Sequence, residues 1–189
     1  MTGFVIVVDM QRDFVMPTGA LPVPDAAALV VPMERWLAAL DPREVTGVLM
    51  TFDTHVPDVY AGSPEAKQFP VHCVRGTPGW EGVLRFEAPV PVYTLEKGVF
   101  DMWAEPGLMV HGADGQSFDR DAFFEGLAKS AVDRVTVAGV ATDYCVRWAI
   151  EGLLARGFRV ELPASLTRGI AKAAEEVAAE IGGDLLLLN

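Results

Sequence analysis

The 189-residue sequence predicts a doubly wound, three-layer α/β/α protein built on a mostly parallel six-stranded sheet. Three observations predict it. Short Val/Leu-rich runs alternate with longer helix-like segments along the chain. Most of these runs are apolar almost without interruption, as expected of strands covered on both faces. The two long Gly- and Pro-rich stretches, 53–89 and 97–120, follow strands, where functional loops of such folds lie.

In order, the predicted strands are "FVIVV" (4–8), "VTGVLMT" (45–51), "VPVYTL" (90–95), "RVTVAGV" (134–140), "FRVEL" (158–162) and "DLLLLN" (184–189). Helices are predicted over 24–39, 121–130, 143–156 and 168–181. Pro24 and Asp25 suit the start of the first helix, and Gly157 and Gly182 the ends of the last two. One domain spanning 1–189 is expected, with the sheet order 3-2-1-4-5-6 of this fold type.

Composition narrows the partners. A hydrophobic share of 51% describes a chain with a substantial core. A net charge of −11 argues against nucleic acid, whose phosphates need clustered Lys and Arg. No stretch has the length and apolarity of a membrane span, and "MTGFVIVVDMQRDF" reads as a first strand rather than a signal peptide. Two cysteines make no disulfide framework, so the reducing cytoplasm is the expected compartment. A homo-oligomer is left open.

The reactive residues fall at strand ends. Asp9 closes the first strand, Lys97 follows the third, and Cys145 follows the fourth, all on the side where open α/β sheets bind ligands. Thr142 suits the N-cap of the following helix, which would put Cys145 in its first turn and lower the thiol pKa. A nucleophile, a carboxylate to carry its proton, a cation and amide N–H donors are what acyl transfer from an amide requires. Each residue alone has another reading: a buried filler cysteine, a turn-capping aspartate, a solvated lysine. Their coincidence after three different strands favours chemistry.

A second group occupies "FDTHVPDVYAGSPEAKQFPVHC". Asp53, His55, Glu65 and His72 suit one divalent transition metal, Zn, Mn or Fe, although an ordinary polar loop would also contain such residues. Cys73 is a weaker candidate nucleophile than Cys145, beside His72 but with no helix start behind it, and a Cys73–Cys145 disulfide would be unusual in the cytoplasm.

"VVDMQRDF" with "GALPVP", "TFDTH", "FPVHCVRGTPG", "EKG" and "GVATDYCV" resemble the successive motifs of the nicotinamidases, within the isochorismatase-like cysteine hydrolases. The resemblance implies hydrolysis of a small carboxamide, nicotinamide to nicotinate and ammonia, with pyrazinamide as an analogue, and a place in NAD salvage. It implies a catalytic triad of Asp9, Lys97 and Cys145, and metal ligands Asp53, His55 and His72, with Glu65 as a further one. Oxyanion donors would be the amides of Ala141 and Cys145, after a cis Val140–Ala141 peptide. Phe14 and Phe69 would sandwich the pyridine ring and Val140 would line the pocket, while Trp103 and Phe100, in a stretch that departs from the family, either replace pocket aromatics or pack beneath a lid.

Two stretches depart from the family pattern. Arg12 stands where nicotinamidases usually carry asparagine, and "GVFDMWAEPGLMVHG" replaces the usual Tyr-Ser-rich segment after Lys97. His111, in that segment, is expected to be a solvated loop residue. The alternatives are a hydrolase of ureido or carbamoyl compounds on the same scaffold, and a metal- or redox-sensing protein using Cys73, His72 and Cys145.

Overall fold

The first apolar run forms β1 (Thr2–Val8), and its alternation divides the protein into two cores. Successive strand side chains point to opposite faces. Phe4, Ile6 and Val8 enter one cluster, while Val5 and Val7 enter the other. A central strand buried on both faces needs no polar residue until it ends, at Asp9.

The structure, a computed structural model, describes residues 2–189. After β1 come α1 (Arg12–Val15), α2 (Val30–Ala38), β2 (Val45–Asp53), α3 (Pro57–Tyr60), β3 (Val92–Lys97), β4 (Met109–Gly112) and β5 (Ser117–Asp119). Then follow α4 (Arg120–Lys129), β6 (Val132–Val140), α5 (Arg147–Ala155), β7 (Arg159–Pro163), β8 (Thr167–Arg168), α6 (Ala174–Ile181) and β9 (Leu185–Leu188). The sheet order is β5-β4-β3-β2-β1-β6-β7-β9, with β8 beside β6. The six predicted strands hold the predicted order and are parallel; β4 and β5 add an antiparallel edge.

Helices cover both faces. Phe124 of α4 and Ile150 and Leu153 of α5 pack on the Phe4–Ile6–Val8 side, and Met33 and Leu37 of α2 on the other. Each such buried side chain contributes roughly 1.5–3 kcal/mol. No helix among the described residues is long and apolar enough to cross a membrane.

Three expectations are corrected. Among the described residues the sheet has nine strands rather than six: the predicted loop 97–120 contains the β4–β5 hairpin, whose exposed residues carry no apolar run, and the two-residue β8 pairs with the end of β6. The helix predicted from Pro24 and Asp25 begins later: Asp25 is left-handed (φ 58°), and a 3₁₀ turn at Ala26–Leu29 precedes α2. The helix predicted over 168–181 starts only at Ala174, since Thr167 and Arg168 pair with the end of β6. Gly157, at φ 83°, does close α5 as expected.

Candidate active site and metal centre

Strand register assembles the first cluster. Asp53 lies opposite Lys97 across β2 and β3, and Val8 opposite Gly139 across β1 and β6. Gly139 is required there: at φ 111° a Cβ would lie 2.1 Å from the Val8 carbonyl oxygen. Its absence lets the end of β6 close onto β1 and brings the turn carrying Cys145 toward Asp9. Asp9 itself adopts a left-handed backbone, φ 49°, unusual outside glycine and frequent at functional sites.

Lys97 joins the three groups. Its Nζ lies 2.8 Å from Asp9 Oδ2, 3.3 Å from Asp53 Oδ1 and 3.4 Å from Cys145 Sγ, with all four residues buried. Burial disfavours the ammonium, but Asp53 and Asp9 outweigh it and hold the lysine well above its ordinary pKa. Thr51 donates to Asp9 Oδ1 at 2.6 Å. Asp9 Oδ2 sits against the Lys97 ammonium and, among the described residues, has no other polar partner within hydrogen-bond geometry. A buried carboxylate oxygen with a nearby cation and an open acceptor position is suited to receive a proton.

Cys145 departs from the expected helix first turn. Thr142–Val146 forms a π-turn between β6 and α5, in which Ala141 O accepts from the N–H groups of Tyr144 and Val146. Tyr144 breaks the helical geometry (φ −128°, ψ −108°). Thr142 is not an N-cap; its hydroxyl lies 2.6 Å from that of Thr167. The expected lowering of the thiol pKa is also reversed. Burial pushes it well above the ordinary value; Lys97 pulls it down, and Asp9 and Asp53 push it up. The free protein therefore holds a thiol, with its base at hand.

The second cluster sits beside the first. Asp53 Oδ2 lies 2.9 Å from His55 Nε2 and 3.0 Å from His72 Nε2, and Glu65 Oε1 lies 3.9 and 3.6 Å from the same nitrogens. His72 Nδ1 must donate to the Pro70 carbonyl at 2.8 Å, because a carbonyl only accepts. Neutral His72 then turns a bare Nε2 lone pair toward two carboxylates, which is repulsive unless a proton or cation stands between them. Glu65 Oε1 is buried without a hydrogen-bond donor among the described residues. The four ligand atoms lie within 4.8 Å of one another. The donor set of two imidazoles and two carboxylates, with its orphaned oxygen, fits a divalent transition metal.

Burial would raise Asp53, but Lys97, His55 and His72 outweigh it and hold it well below the usual carboxylate range. Glu65 is pushed up to about 7 by burial and by Asp53. His72 is depressed by burial but raised on balance by Asp53.

A cleft of about 710 Å³ opens onto Lys97, His55 and Glu65, with Phe100 and Trp148 among its walls. Phe69, Phe100 and Tyr144 form a mutually packed triangle, with ring centroids 5.3–5.7 Å apart. Phe14 is buried against the His72 ring at 5.1 Å. The Val140–Ala141 peptide is cis, with both residues buried.

Of the two places open to Trp103, the structure shows the packed one rather than the pocket. Its Nε1 donates to Trp148 O at 3.1 Å, its ring packs on Phe124, and the Arg156 guanidinium lies 3.8 Å above it. Gly152 makes that seat, since a Cβ there would lie 2.0 Å from Trp103 Nε1. Exposed His111 lies on β4, hydrogen-bonded to Ser117. Both cysteines are free.

Sequence reasoning missed two positioning residues. Buried Gln11 donates to the carbonyls of Asp53 (2.8 Å) and Trp80 (2.9 Å) and accepts from Asp53 N (2.8 Å), pinning the end of β2. Tyr60 donates to Phe69 O and Pro70 O and lays its ring 4.5 Å from that of His55. Gln11 carried a signal, a polar residue directly after an apolar strand; Tyr60 lay in a loop without periodicity.

A buried acid, amine and thiol at the carboxyl ends of a doubly wound sheet, flanked by a metal-ligand set, define an α/β protein with two adjoining polar centres. The chain belongs to the isochorismatase family, whose Isochorismatase domain matches residues 4–181. It is 32% identical over 169 residues to the nicotinamidase/pyrazinamidase of Mycobacterium tuberculosis, covering 88% of this chain and 86% of that one. Its fold is similar to that of the pyrazinamidase of Pyrococcus horikoshii in complex with zinc (TM-score 0.77, 27% identity, 100% and 99% of the two chains). It is also similar to PnC1 from L. infantum in complex with nicotinate (TM-score 0.74, 27% identity, 100% and 92%).

Proposed function

We propose that this protein is an amidohydrolase that converts nicotinamide to nicotinate and ammonia, and pyrazinamide to its acid, through a thioester on Cys145. The observation that carries this reading is the convergence of Asp9, Lys97 and Cys145 around one ammonium, with Asp9 Oδ2 open to accept a proton. The similarity to nicotinamidases and pyrazinamidases supplies the substrate class.

Asp9 takes the Cys145 thiol proton as the sulfur attacks the carboxamide carbon, and Lys97 offsets the negative charge. The carbonyl π pair moves onto oxygen, which accepts hydrogen bonds from the amides of Ala141 and Cys145. Asp9 returns its proton to the departing nitrogen, the C–N bond breaks, and ammonia leaves. Asp9 then deprotonates a water that attacks the thioester carbon, releasing the acid and restoring the thiol. The high thiol pKa suits this order, because deprotonation is coupled to attack rather than preceding it.

Asp53, His55, Glu65 and His72 would hold the metal, with zinc as the first candidate given the zinc-bound pyrazinamidase. When bound, that ion supplies a Lewis-acidic site toward a ring nitrogen of the substrate. Phe14 and Phe69 would contact the ring. The two free cysteines suit a reducing cytoplasm.

The test is ammonia release from a carboxamide panel that includes ureido and carbamoyl compounds. Nicotinamide and pyrazinamide should turn over, and Cys145→Ala should abolish turnover with the fold unchanged. Undiminished turnover by that variant would overturn the mechanism.

A further inference from the structure

We infer that Asp143 is a positioning residue that holds the oxyanion-binding turn in place, an inference that rests on the acyl-transfer reading above. Asp143 lies two residues before the nucleophile, yet its carboxylate is directed to another segment of the chain. Oδ1 accepts from Ile170 N at 2.8 Å, and Oδ2 from Ala171 N at 2.8 Å and Lys172 N at 3.1 Å. Three consecutive amides thus converge on one anion, a backbone nest around a side-chain carboxylate. The curl that forms the nest leaves no room for a side chain at Gly169, where a Cβ would lie 2.0 Å from Lys172 O and 3.0 Å from Asp143 Oδ1.

A second tie grips the other side of the turn. Thr167 donates to Gly139 O at 2.8 Å, so the Thr142 hydroxyl, 2.6 Å away, donates to Thr167. β8 also pairs with the last two residues of β6, Gly139 with Thr167 and Val140 with Arg168. Segment 167–172 therefore holds Gly139, Val140, Thr142 and Asp143, the residues flanking Ala141. The amide of Ala141 is fixed between two anchors, neither of which lines the cleft.

Asp143→Asn tests this with little change of shape. The amide keeps one acceptor oxygen but turns N–H donors toward backbone N–H donors. Relaxation of the turn should lower kcat for nicotinamide about tenfold to a hundredfold, up to the scale of a 1 Å misplacement at the reacting centre, while KM stays within about twofold. Nicotinaldehyde reads the same geometry without turnover. The Cys145 sulfur adds to its carbonyl carbon, the π pair becomes an oxyanion, and the thiol proton passes to Asp9. Its affinity should fall in parallel with kcat.

Thr167→Val cuts the second tie, leaves Asp143 intact and should shift kcat and aldehyde affinity in the same direction, covering the case in which Asp143→Asn fails to fold. Lys172→Ala keeps the backbone amide and should change neither. An unchanged kcat in both tie variants, a raised KM at constant kcat, or a lowered kcat with unchanged aldehyde affinity would overturn the inference. Wild-type protein that releases no ammonia from either carboxamide would overturn the proposed function instead, and the aldehyde measurement would still report on Asp143.

Discussion

Thr51 and Asp9 are joined by a 2.6 Å hydrogen bond that occupies one carboxylate oxygen and leaves the other to the Lys97 ammonium. The Thr51 hydroxyl also lies 3.3 Å from Asp9 N, which donates to it, so backbone and carboxylate are held together. Thr51→Val keeps the shape and removes both contacts. A hydrogen bond to a charged group is worth roughly 1.5–3 kcal/mol, so kcat should fall about tenfold or more while KM changes little. Steady-state kinetics on nicotinamide checks this; equal kcat values would mean that Asp9 needs no orientation.

Among the described residues Lys97 is the single cation near Asp9 and Asp53 that needs no protonation of a histidine, and all three are almost wholly buried. Lys97→Met preserves much of the volume but leaves two buried carboxylates without an ammonium. Breaking a buried ion pair from one side costs roughly 3–5 kcal/mol, so the variant should be destabilised by about that much as well as inactive. Urea unfolding of metal-free protein gives the number. An unshifted midpoint would show that the histidines alone neutralise the cluster.

Burial raises the Cys145 thiol, so its thiolate should appear only above the ordinary cysteine range. Iodoacetamide labelling of Cys145, followed by peptide mass, should therefore be slow at neutral pH and still rising beyond about pH 8.5, the midpoint of an unperturbed cysteine. A plateau already reached below about pH 7 would mean a preformed thiolate. It would shift the mechanism from proton transfer during attack to attack by a standing ion pair.

The parallel core of the fold was legible because its strands are continuous apolar runs, and the reactive residues were legible because each ends such a run. Asp9, Lys97 and Cys145 are legible from the sequence as lying at the carboxyl ends of three different strands. The β4–β5 hairpin was not, since Ser117, Phe118 and Asp119 are exposed and carry no alternation. The choice between pocket and packing for Trp103 is not legible for a related reason: its partners Gly152, Arg156 and Phe124 are distant in sequence, and only packing shows that glycine as its seat. The thiol pKa was misjudged because a helix-like start was visible in sequence, whereas the depth of burial that outweighs it was not.

Glu65 makes the metal centre sensitive to pH. Burial and Asp53 push its carboxyl up to about 7, and Asp53 raises His72 as well. Protons and the metal compete for the same atoms, so affinity should weaken as pH falls from about 7.5 to 6 and recover on return. Glu65→Gln removes the competing proton site and one anionic ligand together. It should bind the ion more weakly at pH 7.5 but lose less affinity on acidification than the wild type. Zinc titrations against a competing chelator at several pH values separate the two effects. An equal loss of affinity on acidification in the wild type and in Glu65→Gln would mean that Glu65 stands outside the coordination sphere and that His72 alone sets the pH dependence.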